Sequence, residues 1–200
     1  MLTRRHLLAL AATLPFARAA QAQQLSLADI SAYLNALQTA TGGFTQINAD
    51  GTISTGTIYI KRPGRMRFEY GPPDNSMVIA GGGQVAIFDP RSNTGPDRYP
   101  LNQTPLKIIL ERNVDLGRAN MVTGHTSDGT TTTVTAQDPD NPGLGSIQLV
   151  FTGSPVELRQ WIVTDDTGTQ TTVILNDLVQ GGRIDDIKFN ILREMDRWNR

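Results

Sequence analysis

Short runs of alternating apolar and polar residues, cut at close intervals by turn-forming clusters, set the strongest limit on what this chain can fold into. The clusters are Asn48-Ala49-Asp50-Gly51, Pro63-Gly64, Gly81-Gly82-Gly83, Asp89-Pro90, Ser127-Asp128-Gly129, the stretch 138–143, Asp165-Asp166-Thr167-Gly168 and Gly181-Gly182. Gly, Asn, Asp and Pro reverse the backbone, and the runs between them read as strands. Several runs have period two. Met66, Phe68 and Tyr70 fall on one face with Arg67 and Glu69 on the other, and Trp161 and Val163 oppose Gln160 and Ile162. That pattern is a half-buried antiparallel sheet. The runs 77–80 and 85–88 are apolar on both faces, which predicts a hairpin around the three glycines, covered on both sides. The expected architecture is mainly β within an α+β class: nine to eleven strands in one large curved antiparallel sheet, with helices packed on one side.

Two helical signals accompany the strands. Ser26-Leu27-Ala28-Asp29 has the form of an N-cap with a carboxylate three residues on, and Leu27, Ile30, Leu34 and Leu37 follow as one apolar stripe. Gly42-Gly43 is expected to end this helix. Thr104-Pro105 precedes Leu106-Lys107-Ile108-Ile109-Leu110, which predicts a short apolar helix with Thr104 as N-cap and Pro105 at its first position.

The first 22 residues read as an export signal. Arg4 and Arg5 precede the apolar run 7–12, and Ala20-Gln21-Ala22 has the small-x-small form of a cleavage site. The arginine pair fits either a twin-arginine signal or an ordinary basic start. A single domain over 23–200 is expected, exported to the periplasm and soluble there. Of 18 Lys+Arg, the leader holds Arg4, Arg5 and Arg18, leaving 15 against 19 Asp+Glu, a net of −4. An acidic balance excludes a phosphate-backbone binder, so no nucleic-acid partner is expected. The chain has no Cys, which removes disulfides, thiol nucleophiles and a lipid-modified N-terminal cysteine.

Catalytic groups are scarce. His125 is the one histidine outside the leader, in an apparent hairpin turn without a nucleophile elbow. Asp138 and Asp140 stand among Pro, Asn and Gly, as turn residues do, so no metal site is expected. The three glycines lack a Walker lysine. Neither an enzymatic activity nor a cofactor is expected, and the residues alone reach an exported β-rich binding protein whose apolar surplus closes on itself or leaves a cavity.

From Phe44-Thr45-Gln46 through Gly56-Thr57-Ile58-Tyr59-Ile60-Lys61-Arg62-Pro63-Gly64-Arg65-Met66-Arg67-Phe68-Glu69-Tyr70, then Pro73, the run 77–80, Val85-Ala86-Ile87-Phe88-Asp89-Pro90 and Thr104-Pro105-Leu106, the sequence resembles the LolA family of periplasmic outer-membrane lipoprotein carriers. The resemblance implies an incomplete barrel closed by a lid of short helices over an apolar cavity. It implies acylated lipoproteins as cargo, an inner-membrane lipoprotein-releasing ABC transporter as donor and an outer-membrane lipoprotein as acceptor, with the carrier a monomer. Arg62 matches the arginine of the family's Lys-Arg-Pro segment, which implies a latch toward the lid; on residue type alone a solvated turn arginine beside Lys61, Arg65 and Arg67 is the better reading. Leu34, Phe44, Met66, Phe68, Met77, Ile79, Ile87, Leu106, Ile109 and Leu110 are candidates for the acyl-chain cavity or for plain core, and Leu27 for core. Lys61, Arg65 and Arg67 are candidates for docking an acidic partner. The C-terminus, 193–200, lacks the family's proline-rich ending. A lipid-binding or lipoprotein-sensing regulator of the same fold, an envelope hydrolase and an assembly protein pairing through strand edges are the competing readings.

Overall fold

A computed structural model describes residues 24–92 and 94–198; the expected export signal, with His6, lies outside them. Helix α1 (Leu27–Ala36) opens the fold, followed by β1 (Thr39–Ile47), β2 (Ile53–Lys61), β3 (Arg65–Tyr70), β4 (Met77–Gly81), β5 (Gln84–Phe88) and β6 (Asp97–Pro100). A 3-10 turn, Leu101–Gln103, leads to α2 (Lys107–Leu110). Then come β7 (Val122–Ser127), β8 (Thr131–Gln137), β9 (Ser146–Thr152), β10 (Glu157–Thr164), β11 (Gln170–Gln180) and, after a 3-10 turn at Asp186–Phe189, α3 (Ile191–Trp198). All eleven strands form one antiparallel sheet in the order β6-β5-β4-β3-β2-β1-β11-β10-β9-β8-β7. Its two edges, β6 and β7, do not pair, so the barrel is incomplete.

The alternation read from sequence decides which side chains meet inside. Met66, Phe68, Trp161 and Val163 face one way, toward α1 and α2. Phe68 and Trp161 are four strands apart, about 19 Å in a flat sheet, yet their rings stand 6.3 Å centroid to centroid. Strong curvature is the only way to bring them together. Phe44 sits edge-on to both Phe68 and Tyr70, at 5.1 and 5.0 Å. Opposite Phe44 on β2 lies Gly56, where a β-carbon would fall 2.8 Å from that ring and 2.1 Å from the Glu69 carbonyl oxygen. Only glycine fits there.

The expected hairpin is present, pairing Met77 with Phe88 and Gly81 with Gln84. It is covered on both sides, but from opposite directions. Val78, Ala80 and Val85 join the inner core, whereas Met77, Ile79, Ala86 and Phe88 pack outward under Ile191, Met195 and Trp198 of α3. Helices therefore lie on both sides of the sheet, not one.

Both helix expectations need correction at their ends. The Ser26 hydroxyl accepts the Asp29 N–H at 3.0 Å, as its pattern requires, but α1 stops at Ala36 and Gly42-Gly43 lie inside β1, at the irregularity where β1 meets β11. Helix α2 is a single turn. The Thr104 hydroxyl does not cap it but donates back to the Leu101 carbonyl at 2.9 Å.

Candidate functional site

Helix α1, α2 and the loop that follows α2 cover the inner face of the sheet, and a small set of polar ties holds them there. The β2–β3 turn is the anchor. The Arg62 N–H donates to the Gln38 carbonyl at 2.8 Å, and the Gly64 N–H donates to the Leu110 carbonyl at 2.8 Å. The Arg62 guanidinium reaches between the two lid pieces: Nη2 donates to the Glu111 carbonyl and lies 3.5 Å from Asn35 Oδ1 on α1. Asn35 completes the link, with Nδ2 donating to the Val114 carbonyl at 2.9 Å and Oδ1 accepting the Val114 N–H at 2.8 Å. The Ser31 hydroxyl accepts the Leu116 N–H at 3.1 Å.

Arg62 is 4% exposed, and its Nε and Nη1 have no hydrogen-bond partner. Burial pushes the guanidinium below its usual pKa, with the Glu111 charge pulling the other way. A buried cation with unused donors holds weakly for its cost.

A second tie joins α2 to the β8–β9 loop. Lys107 Nζ meets Asp138 Oδ2 at 2.6 Å. Asp138 also accepts from Asn141 Nδ2 at 3.0 Å and from the Asp140 N–H at 3.1 Å. Burial raises the Asp138 pKa, but Lys107, Asn141 and the Asp140 N–H outweigh it and hold the carboxyl below its usual range. The pair of aspartates at 138 and 140 is thus a lysine and arginine partner set, Arg118 Nη2 lying 2.7 Å from Asp140.

Beneath the lid, Leu34, Phe44, Met66, Phe68, Ile109 and Leu110 are buried in one continuous cluster, with Leu106 partly buried against it. Lid and sheet side chains share this cluster and meet directly, where the resemblance implies a cavity; apolar faces close on each other to leave water. An open recess of about 400 Å³ adjoins this cluster where Tyr99, Leu106, Leu144 and Val163 come together.

The family model described as outer membrane lipoprotein carrier protein LolA matches residues 35–192. The chain belongs to the LolA family. An outer-membrane lipoprotein carrier protein of Chromohalobacter salexigens is 28% identical over 192 residues, spanning 91% of this chain and 90% of that one. One of Azotobacter vinelandii is 22% identical over 179 residues, 86% of each. The crystal structure of a LolA superfamily protein from Nitrosomonas europaea overlays with a TM-score of 0.44 at 10% identity, over 83% of this chain and 98% of that one.

Within this LolA-family chain three sequence expectations are corrected. Met77 and Ile79 do not face the lid; they are core residues of the outer face, because the register that pairs Arg67 with Ile79 and Glu69 with Met77 turns all four outward. Ile87 does share the inner face with Val85 but lies beyond the lid's cover, beside the edge strand β6, 38% exposed. The basic cluster is not a free docking surface. Asp186 Oδ1 meets Lys61 Nζ at 2.6 Å and Arg65 Nη1 at 2.5 Å, and Arg67 is held by Glu69 at 2.6 Å and Glu194 at 3.0 Å. Asp186 and Glu194 of the C-terminal segment pair with it, Lys61 and Arg65 sharing the one Asp186 carboxylate.

His125 Nε2 lies 2.9 Å from the Leu25 carbonyl, a tie between β7 and the residues just before α1. Among the described residues no group of three or more His, Asp or Glu side chains could hold a metal ion, and no helix is long and apolar enough to cross a membrane. Sequence reasoning missed Asn35 and the Lys107–Asp138 pair, whose partners lie 79 and 31 residues away. It also missed α3, although Ile191, Met195 and Trp198 are spaced i, i+4, i+7 and mark an amphipathic helix.

Proposed function

We propose that the protein is a periplasmic carrier that takes the acyl chains of lipoproteins released from the inner membrane beneath its lid and delivers them to the outer membrane. The observation that carries this reading is the lid itself: in a member of the LolA family, apolar helices lie against the apolar inner face of an open sheet and are held by a few ties centred on an under-satisfied, buried Arg62. At about 0.8 kcal/mol per CH₂, one acyl chain of roughly 16 carbons costs on the order of 12 kcal/mol to leave in water. A carrier must match that burial and then give it up. Lifting α1 and α2 exposes Leu34, Ile109, Leu110 and the facing Phe44, Met66 and Phe68; cargo chains then replace the lid as the cover of that surface. Non-directional apolar contact accepts varied chains, and Met66 adapts its shape to them. Arg62 is the release latch: its bonds to Glu111 and Asn35 exist only with the lid closed, so the chain must leave before they re-form.

The donor in this reading is the inner-membrane lipoprotein-releasing ABC transporter and the acceptor an outer-membrane lipoprotein, with the carrier acting as a monomer and without a cofactor or catalytic step. The test offers the purified protein to spheroplasts retaining labelled lipoproteins. Soluble one-to-one carrier–lipoprotein complexes are expected; labelled lipoprotein that stays wholly membrane-bound, with the protein folded, overturns the reading.

A further inference from the structure

We infer that the Lys107–Asp138 pair is a second latch, opposite Arg62, that controls how readily acyl chains pass beneath α2; this rests on the carrier reading. Helix α2 is one turn long and cannot hold itself in place. Its C-terminal end is fixed by the β2–β3 turn through Gly64 and Arg62. Its N-terminal end is fixed by Lys107, which crosses to the β8–β9 loop. The open recess lies beside this crossing: Leu106, the residue before Lys107, forms one wall, and Leu144, in the same loop as Asp138, forms another. Val163 and Tyr99 add inner-face side chains from β10 and β6, and the 3-10 turn before α2 and Asp165 and Asp166 supply the rest of its lining. The ion pair therefore staples two walls of the one recess described above that reaches the covered apolar surface.

The two latches differ in kind. Asp138 is 5% exposed and accepts three hydrogen bonds from Lys107, Asn141 and the Asp140 N–H, so it is a satisfied acceptor. Arg62 is a cation short of acceptors. A fully bonded pair resists opening, whereas an under-bonded one yields, so the Lys107 side is the gate that sets access and the Arg62 side is the one that parts first. The neighbouring Arg118–Asp140 pair spans the same gap but is exposed at both ends and adds little.

The chain lacks Cys, so Arg112→Cys on the lid loop and Thr167→Cys on the β10–β11 turn give two unique positions for spin labels. In the full chain without cargo, Asp138→Asn and Lys107→Met are expected to shift the label distance distribution toward longer values. They are also expected to speed association of a fluorescent long-chain fatty acid on the order of tenfold, the scale of one charge-assisted hydrogen bond. Asp138→Glu returns both readings toward the parent. Unchanged distances and rates in folded variants overturn the inference. Should Asp138→Asn not fold, Lys107→Met decides, since Asp138 then keeps Asn141 and the Asp140 N–H. If the fatty acid binds no form, the carrier reading falls, while the label distances still decide whether this pair holds α2.

Discussion

Arg62 and Asn35 do opposite work at one junction. Asn35 uses both ends of its amide on Val114, so Asn35→Ala strands a donor and an acceptor and is expected to cost about 1–3 kcal/mol in urea unfolding. Arg62→Leu removes a cation whose Nε and Nη1 are unpaired, so its stability is expected to stay within about 1 kcal/mol of the parent, or to rise. Its lipoprotein loading should persist while transfer to acceptor membranes slows at least several-fold, and a wild-type transfer rate would remove the latch role. Asp138 gives a pH signature. Its folded pKa is depressed, so its contribution is complete above its unfolded value near pH 4 and fades as pH falls through the lower folded value. The stability gap between the parent and Asp138→Asn is therefore expected to be constant from about pH 5 to 7 and to shrink below about pH 4.

At the scale of elements, α1 carries its cap and its stripe locally but no stop signal, so its start was legible while its end was not. Nothing local marks Ala36 as the last turn; the Arg62 N–H takes the Gln38 carbonyl and pulls the chain into β1. Losing the cap with Ser26→Ala is expected to cost about 1 kcal/mol and to speed amide exchange across α1 more than across β1. The C-terminal segment behaves as a strap on the outer face. A β-carbon on Gly81 would stand 2.2 Å from the Phe189 carbonyl oxygen, so Gly81→Ala must lift the strap or bend β4. The expected cost is about 1–3 kcal/mol, with increased proteolysis C-terminal to 183 as the local readout.

Across the whole molecule the curved sheet makes one core out of strands far apart in order. Trp161 is buried against Phe68 across that curve, so Trp161→Ala is expected to cost about 3–5 kcal/mol by denaturant unfolding, and a loss under 1 kcal/mol would show that the curve does not depend on it. The strands, their alternation, the hairpin at the three glycines and the start of the lid are legible in the sequence, because each is encoded within a few neighbouring residues. It could not say that Met77 and Ile79 face outward while Met66 and Phe68 face inward, since period two sets opposite faces without naming the inside. Nor could it show that Lys61, Arg65 and Arg67 spend their charge on Asp186 and Glu194. Partners more than a hundred residues away along the chain meet only once the sheet has curved, and that curvature decides which charges are free and which apolar faces the lid must cover.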